Sequence, residues 1–195
     1  MRFNHIFKLT NENETHREYK CDKVNINIDF ISGSALRVAV FNDNAEMLPT
    51  FTVNPNNNLS SLGRSRLSVD GFDCVAPVVE KFENKEKFVL DCGVTVDLDL
   101  NNFILSYSKE SKLLFADRAP LAYNFEGEFG NGSYHYITRE DDEHIFGLGD
   151  KSGLINKVGQ VYRVETADSM GFDAEKTDPL YKHVPFIFAK ILLVL

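Results

Sequence analysis

The sequence predicts an all-β protein: a two-sheet antiparallel β-sandwich with a long irregular C-terminal arm. Three observations carry that prediction. Apolar and polar residues alternate in several short segments. Polar turn residues separate those segments. No window longer than about ten residues shows the i, i+3, i+4, i+7 apolar stripe of an amphipathic helix.

Taken in chain order, RFNHIFKLT opens the series of strand candidates. Val24, Ile26, Ile28 and Phe30 follow at intervals of two, with Asn25, Asn27 and Asp29 between them. A strand points successive side chains to opposite faces, so this segment is expected to have one dry and one wet face. ALRVAVF comes next, then a loop, NPNNNLSSLGRSR (54–66), then VAPVVEKF and KFVLDC. Val94, Val96, Leu98 and Leu100 repeat the alternation, with Thr95, Asp97 and Asp99 on the wet side. Asn101-Asn102 suits the positive φ angles of a tight hairpin turn, after which FILSYS returns antiparallel. SKESKLLF supplies a second polar turn and another strand, and the loop EFGNGS (128–133) precedes SYHYITR and HIFGLG. The closing PFIFAKILLVL is too short to span a bilayer and is interrupted by Lys190, so it reads as a buried strand.

Composition narrows the function. The 195 residues suit one domain, or one domain with a tail. A hydrophobic fraction of 43% and a mean hydropathy of -0.23 belong to a soluble globular chain. Sixteen Phe and seven Tyr, with no Trp, point to an aromatic core. The formal net charge of -8 and pI near 5.1 repel a phosphate backbone, so nucleic acid is not an expected partner, and with no run long enough to span a bilayer neither is a membrane. Cys21, Cys74 and Cys92 are widely spaced and form no C-x-x-C, which predicts buried free thiols and no zinc site. The opening MRFNHIFKLTNENE lacks the apolar run of a signal peptide, and a cytoplasmic location is expected.

GLGDKSG lacks the third glycine of a dinucleotide fingerprint, because Ser152 stands there, and no amphipathic helix follows. Gly147 and Gly149 instead suit close backbone approach or unusual φ angles. Glu126 and Glu128 share one face of an extended chain at about 7 Å, inside the roughly 5–9.5 Å range of glycosidase acid pairs. Solvated faces carry many such pairs, and Asp97/Asp99 and the run Asp141-Asp142-Glu143 read the same way. The histidines His5, His16, His135, His144 and His183 show no i, i+4 pairing and no H-E-x-x-H, so no metal and no cofactor is expected. Thr166-Ala167-Asp168-Ser169-Met170-Gly171 sits within a long irregular segment, and such segments are usually functional. Asp168 there suits hydrogen bonds from sugar hydroxyls, or equally a turn-forming Asx role.

The run FGLGDKSGLINKVGQVYRVETADSMGFDAEKTDPLYKHVPF (146–186) resembles the hallmark of glycoside hydrolase family 31, the α-glucosidase and α-xylosidase family. PLAYNFEGEFGNGSYHYITREDDEHIFGLG and DLDLNNFILSYSKESKLLFAD also look like that family's N-terminal domain. The resemblance implies a galactose-mutarotase-like sandwich over 1–145, a substrate-loop and interdomain arm over 146–188, and a truncated or aberrant strand over 189–195. It also implies a parent enzyme that cleaves α-glucosides with retention. The family's catalytic Asp pair belongs to a (β/α)8 barrel absent from this chain, so no catalytic residue is expected here. The family loop commonly reads Asn-Thr-Asp-Ala; here Thr166-Ala167-Asp168-Ser169 keeps the aspartate, and Asp168 carries over as the substrate-binding residue. D-P-L-Y-K-x-x-P-F is matched at Asp178, Pro179, Leu180, Tyr181, Lys182, Pro185 and Phe186, with a structural role. The expected partners are an α-glucoside or related oligosaccharide and the missing barrel. Two alternatives remain: a stand-alone sugar-binding sandwich using Tyr134, Tyr136 and Tyr162, and a mutarotase-like enzyme using His135, His144 and Glu126 or Glu128.

Overall fold

The computed structural model describes residues 5–51, 62–124 and 133–191. Glu126 and Glu128 lie outside the described residues, as does most of the 54–66 loop. No helix is present among the described residues, and the strands pair antiparallel throughout. The chain divides into two compact units, Met1–Thr138 and Arg139–Leu195.

The first unit contains two principal sheets. One has the order β1 (Lys8–Glu12), β2 (His16–Cys21), β3 (Val24–Ile31), β4 (Ala35–Asn42). The other has the order β5 (Val78–Lys81), β6 (Lys85–Val89), β7 (Val94–Asp99), β8 (Ile104–Lys109), β9 (Lys112–Ala116). Both are meanders, as expected for strands joined by short polar turns. A small ribbon of β10 (Tyr123–Asn124) and β11 (Tyr134–His135) completes the unit.

The two inner faces share one apolar core. Ile26, Ile28 and Phe30 of β3 and Val96 and Leu98 of β7 are almost wholly buried, as their period-two spacing requires. Phe30 packs on Phe88 across the sheets, ring centroids 5.1 Å apart. At one edge of this core Tyr19 donates to Glu86 Oε2 at 2.5 Å, and Arg17 reaches Glu12 at 2.5 Å and Glu86 at 3.4 Å. Lys81 closes the network on Glu12 at 2.7 Å. Strand β2 shows no aliphatic alternation in the sequence because its buried residues are the polar-headed Arg17 and Tyr19.

The second face of β3 is not wet: Asp29 is 2% exposed. It holds Arg37 through both guanidinium nitrogens (2.9 and 2.7 Å) and His16 Nδ1 at 2.6 Å. Arg37 in turn donates to the carbonyls of Arg66, Leu67 and Ser68, so the chain near residues 66–68 is fastened over this face. The β7–β8 turn places its positive φ angles at Asn102 (61°) and Phe103 (51°), one residue later than Asn101-Asn102 suggests. A phenylalanine accepts that conformation because its ring is fully buried, edge-on to Phe7 and Tyr19 at 5.3 Å each. The three cysteines are free, but they are half-buried rather than buried. The β8–β9 turn follows expectation, with positive φ at both Glu110 and Ser111.

The second unit is built on one antiparallel pair, β12 (Glu143–Gly149) and β13 (His183–Ile191). The strand expected at the chain's end is therefore present, but Phe186 and Phe188 are 61% and 53% exposed rather than buried. Gly147 (φ 113°) and Gly149 (φ 77°) bring β12 against β13. A Cβ on Gly147 would strike the Phe186 carbonyl oxygen, and one on Gly149 would meet Val184 N at 2.8 Å. This is the close approach anticipated for both glycines.

Candidate functional site

Between β12 and β13 the chain runs from Asp150 to Lys182 without a strand or helix. Side chains order it where no ladder does. Lys151 has a side chain with no exposed surface, and its ammonium binds Asp178 Oδ1 at 2.8 Å and the Arg163 carbonyl. Asp178 Oδ2 accepts the Arg163 amide at 2.6 Å. Burial pushes the Asp178 carboxyl up, but the Lys151 and Arg163 hydrogen bonds outweigh it and hold the group below the usual carboxylate range. Ser152 Oγ donates to the Thr177 carbonyl at 2.6 Å, and Gly153 N to the Ala174 carbonyl at 2.9 Å. Asn156 caps the start of the segment, accepting from Ile145 N at 3.1 Å and meeting His144 Nδ1 at 2.8 Å.

This clamp positions the candidate residue. Ala167 N donates to the Leu180 carbonyl at 3.1 Å, and Ser169 Oγ to the Pro179 carbonyl at 2.9 Å. Tyr181 OH returns to the Ser169 carbonyl at 3.1 Å, and Thr166 Oγ1 meets His183 Nδ1 at 3.2 Å. Residues on both sides of Asp168 are thus tied to the chain at 179–183, while Asp168 itself is exposed. Among the described residues no hydrogen bond or ion pair engages its carboxylate. Fixed flanks and an unengaged acceptor are what a ligand-contacting carboxylate needs, because little ordering entropy remains to be lost on contact. The D-P-L-Y-K motif has the structural part anticipated for it: Asp178 anchors, Leu180 is buried, and β13 begins at His183.

Other candidates are dispersed. His135 lies in the first unit and His144 in the second. Tyr136 is faced by Arg118 at 4.1 Å and by Tyr134 at 6.4 Å, and Tyr162 by Lys157 at 5.1 Å. Asp97 stays on a solvated face. Two groupings have no local sequence signature. Asp117, almost fully buried, accepts Leu105 N at 2.9 Å and binds His135 Nε2 at 2.8 Å. The His135 ring stacks on Tyr123 at 4.4 Å. Burial first, and the Asp117 charge second, push the Tyr107 and Tyr123 hydroxyls well above the ordinary tyrosine range. The second grouping is His5, Cys21 and Asp22, whose donor atoms lie within 4.8 Å of one another.

The antiparallel sandwich and its clamped arm define a galactose-mutarotase-like β-sandwich. The family model described as the glycosyl hydrolase 31 N-terminal galactose mutarotase-like domain matches residues 25–190, and the chain belongs to that family. The fold is similar to that of the family 31 dextranase of Flavobacterium johnsoniae, solved with isomaltotriose (TM-score 0.71, 20% identity, 96% of this chain and 21% of that one). It is also similar to the glucosidase II alpha subunit (TM-score 0.64, 10% identity, 96% of this chain and 26% of that one). An alpha-xylosidase from a soil metagenome, solved with xylose, matches with TM-score 0.53 and 13% identity over 93% of this chain and 26% of that one. The chain spans about a fifth to a quarter of these solved relatives. No curated protein sequence matches it.

Proposed function

We propose that this chain serves as the N-terminal sandwich of an α-glucosidase-like retaining glycoside hydrolase in cytoplasmic carbohydrate metabolism. Its partner is a (β/α)8 barrel that carries the two catalytic carboxylates, which stand about 5–5.5 Å apart in retaining enzymes. The sandwich braces the barrel, and Asp168 forms part of the wall of the sugar pocket as an acceptor for substrate hydroxyls. The observation that carries this reading is the exposed Asp168, presented between fixed neighbours on the arm of a family 31 domain. The exposed Phe186 and Phe188 supply apolar surface of the kind a domain interface covers. Three free cysteines are compatible with a reducing compartment.

The test uses an aryl α-glucoside. The chain alone is expected to release no aryl group above blank, since it holds no catalytic pair. Joined to a family 31 barrel it is expected to support turnover, and Asp168→Asn is expected to raise KM about tenfold, the cost of one charged hydrogen bond. Turnover by the isolated chain would overturn the reading. The stand-alone sugar-binding reading is weakened by the cations and rings that already face Tyr136 and Tyr162. Sub-millimolar binding of maltose or isomaltose by the chain alone would restore it.

A further inference from the structure

We propose that His5, Cys21 and Asp22 form a site for one divalent cation of the zinc type, bound through one nitrogen, one sulfur and one carboxylate oxygen with solvent in a fourth position. The segments that carry the donors are held in place on both sides. His5 N donates to Asn102 Oδ1 at 2.9 Å, and the His5 carbonyl accepts Asn102 N at 2.7 Å. Ile6 then bridges Asn101, so the chain is fixed before β1 begins. Cys21 ends β2, paired with Val24, and Asp22 follows in the turn with φ 51°. The three side chains meet although sixteen residues separate His5 from Cys21.

The spacing suits a small tetrahedral ion. Ligand distances of about 2.0–2.3 Å to one Zn²⁺ put donors about 3.3–3.8 Å apart. Cys21 Sγ already stands 3.9 Å from His5 Nδ1. With all donors inside 4.8 Å, closure takes side-chain rotation of about 1 Å. Thiolate and imidazole favour Zn²⁺, Co²⁺ or Cd²⁺ over Mg²⁺ and Ca²⁺. Binding exchanges the thiol proton for the metal, releasing one H⁺ as the S–metal bond forms. The bound ion fastens the start of the chain to the β2–β3 turn. Motif reading missed the set because its ligands come from separate elements and follow no C-x-x-C spacing.

The test titrates the full chain, stripped with a chelator and desalted, with Co²⁺. One equivalent is expected to give a near-ultraviolet thiolate-to-cobalt band and the intense visible bands of a four-coordinate ion, both erased by Zn²⁺ and untouched by excess Mg²⁺. Cys21→Ser is expected to abolish the thiolate band, whereas Cys74→Ser and Cys92→Ser retain it. His5→Ala and Asp22→Asn are each expected to weaken Co²⁺ binding about tenfold or more. In the unaltered chain Zn²⁺ is expected to protect Cys21 from alkylation, a readout that needs no variant. A weak six-coordinate spectrum, a thiolate band that survives Cys21→Ser, or unprotected Cys21 would overturn the proposal.

Discussion

The two units of this chain hold themselves together by different physics. Met1–Thr138 has a continuous apolar core between two sheets, and its polar network sits at the edge of that core. In Arg139–Leu195, Leu180 is the one large hydrophobic side chain that is buried among the described residues. There the organising group is Lys151, an ammonium without exposed surface, paired with Asp178. Area burial is non-directional and tolerates repacking, whereas an ion pair and its hydrogen bonds fix particular atoms. The sandwich is thus built to persist and the arm to present a defined shape.

Substitutions separate the two mechanisms. The largest loss is expected for Phe88→Ala in the core, about 3–5 kcal/mol of sandwich stability by urea unfolding. Amide exchange at Arg163 in the arm is expected to be unmoved at urea concentrations below that transition. Lys151→Met fills the same space but leaves Asp178 without its cation, and is expected to cost about 3 kcal/mol locally. Exchange at Arg163 and Gly153 reports it, with the urea midpoint of the sandwich unchanged. If both units lost protection together in either variant, the distinction would fail. Gly147→Ala forces a side chain into a left-handed backbone against β13, and should cost about 1–3 kcal/mol in the exchange of the β12–β13 amides.

A smaller effect belongs to pH. Burial lowers His16, but its bonds to Asp29 and Glu18 outweigh this and raise it above the ordinary value of 6.5. A raised histidine stabilises the fold fully below the unfolded pKa and loses that contribution as pH rises through the folded one. Sandwich stability is therefore expected to fall between about pH 6.5 and the raised value. His16→Gln should flatten that slope, followed by urea midpoints across the range. Least affected is the stability of Asp168→Asn, expected within about 0.5 kcal/mol of the parent because the carboxylate is exposed.

Much of the sandwich was legible in the sequence. Strands with aliphatic residues every second position, such as β3, β4 and β7, announce themselves because one dry face needs that spacing. What alternation does not encode is which polar residue will be covered. Asp29 looks solvated until Arg37 and the carbonyls of residues 66–68 close over it. Arg17 and Tyr19 look like surface residues until Glu86, far along the chain, comes to meet them. The arm was legible by another route. Its likeness to family 31 marked Asp168 and the D-P-L-Y-K motif, but no local pattern announces that Lys151 pairs with Asp178. Pairings between distant residues are properties of the assembled sheets and loops, and no window of sequence contains both partners.

Phe103 has a further consequence. The residue that bends the β7–β8 hairpin is also the plug between Phe7 and Tyr19. Sliding one strand past the other by a single position would therefore pull the plug as well as misalign the ladder. A hairpin shifted by one position would therefore lose on two counts, the ladder and the filled core site.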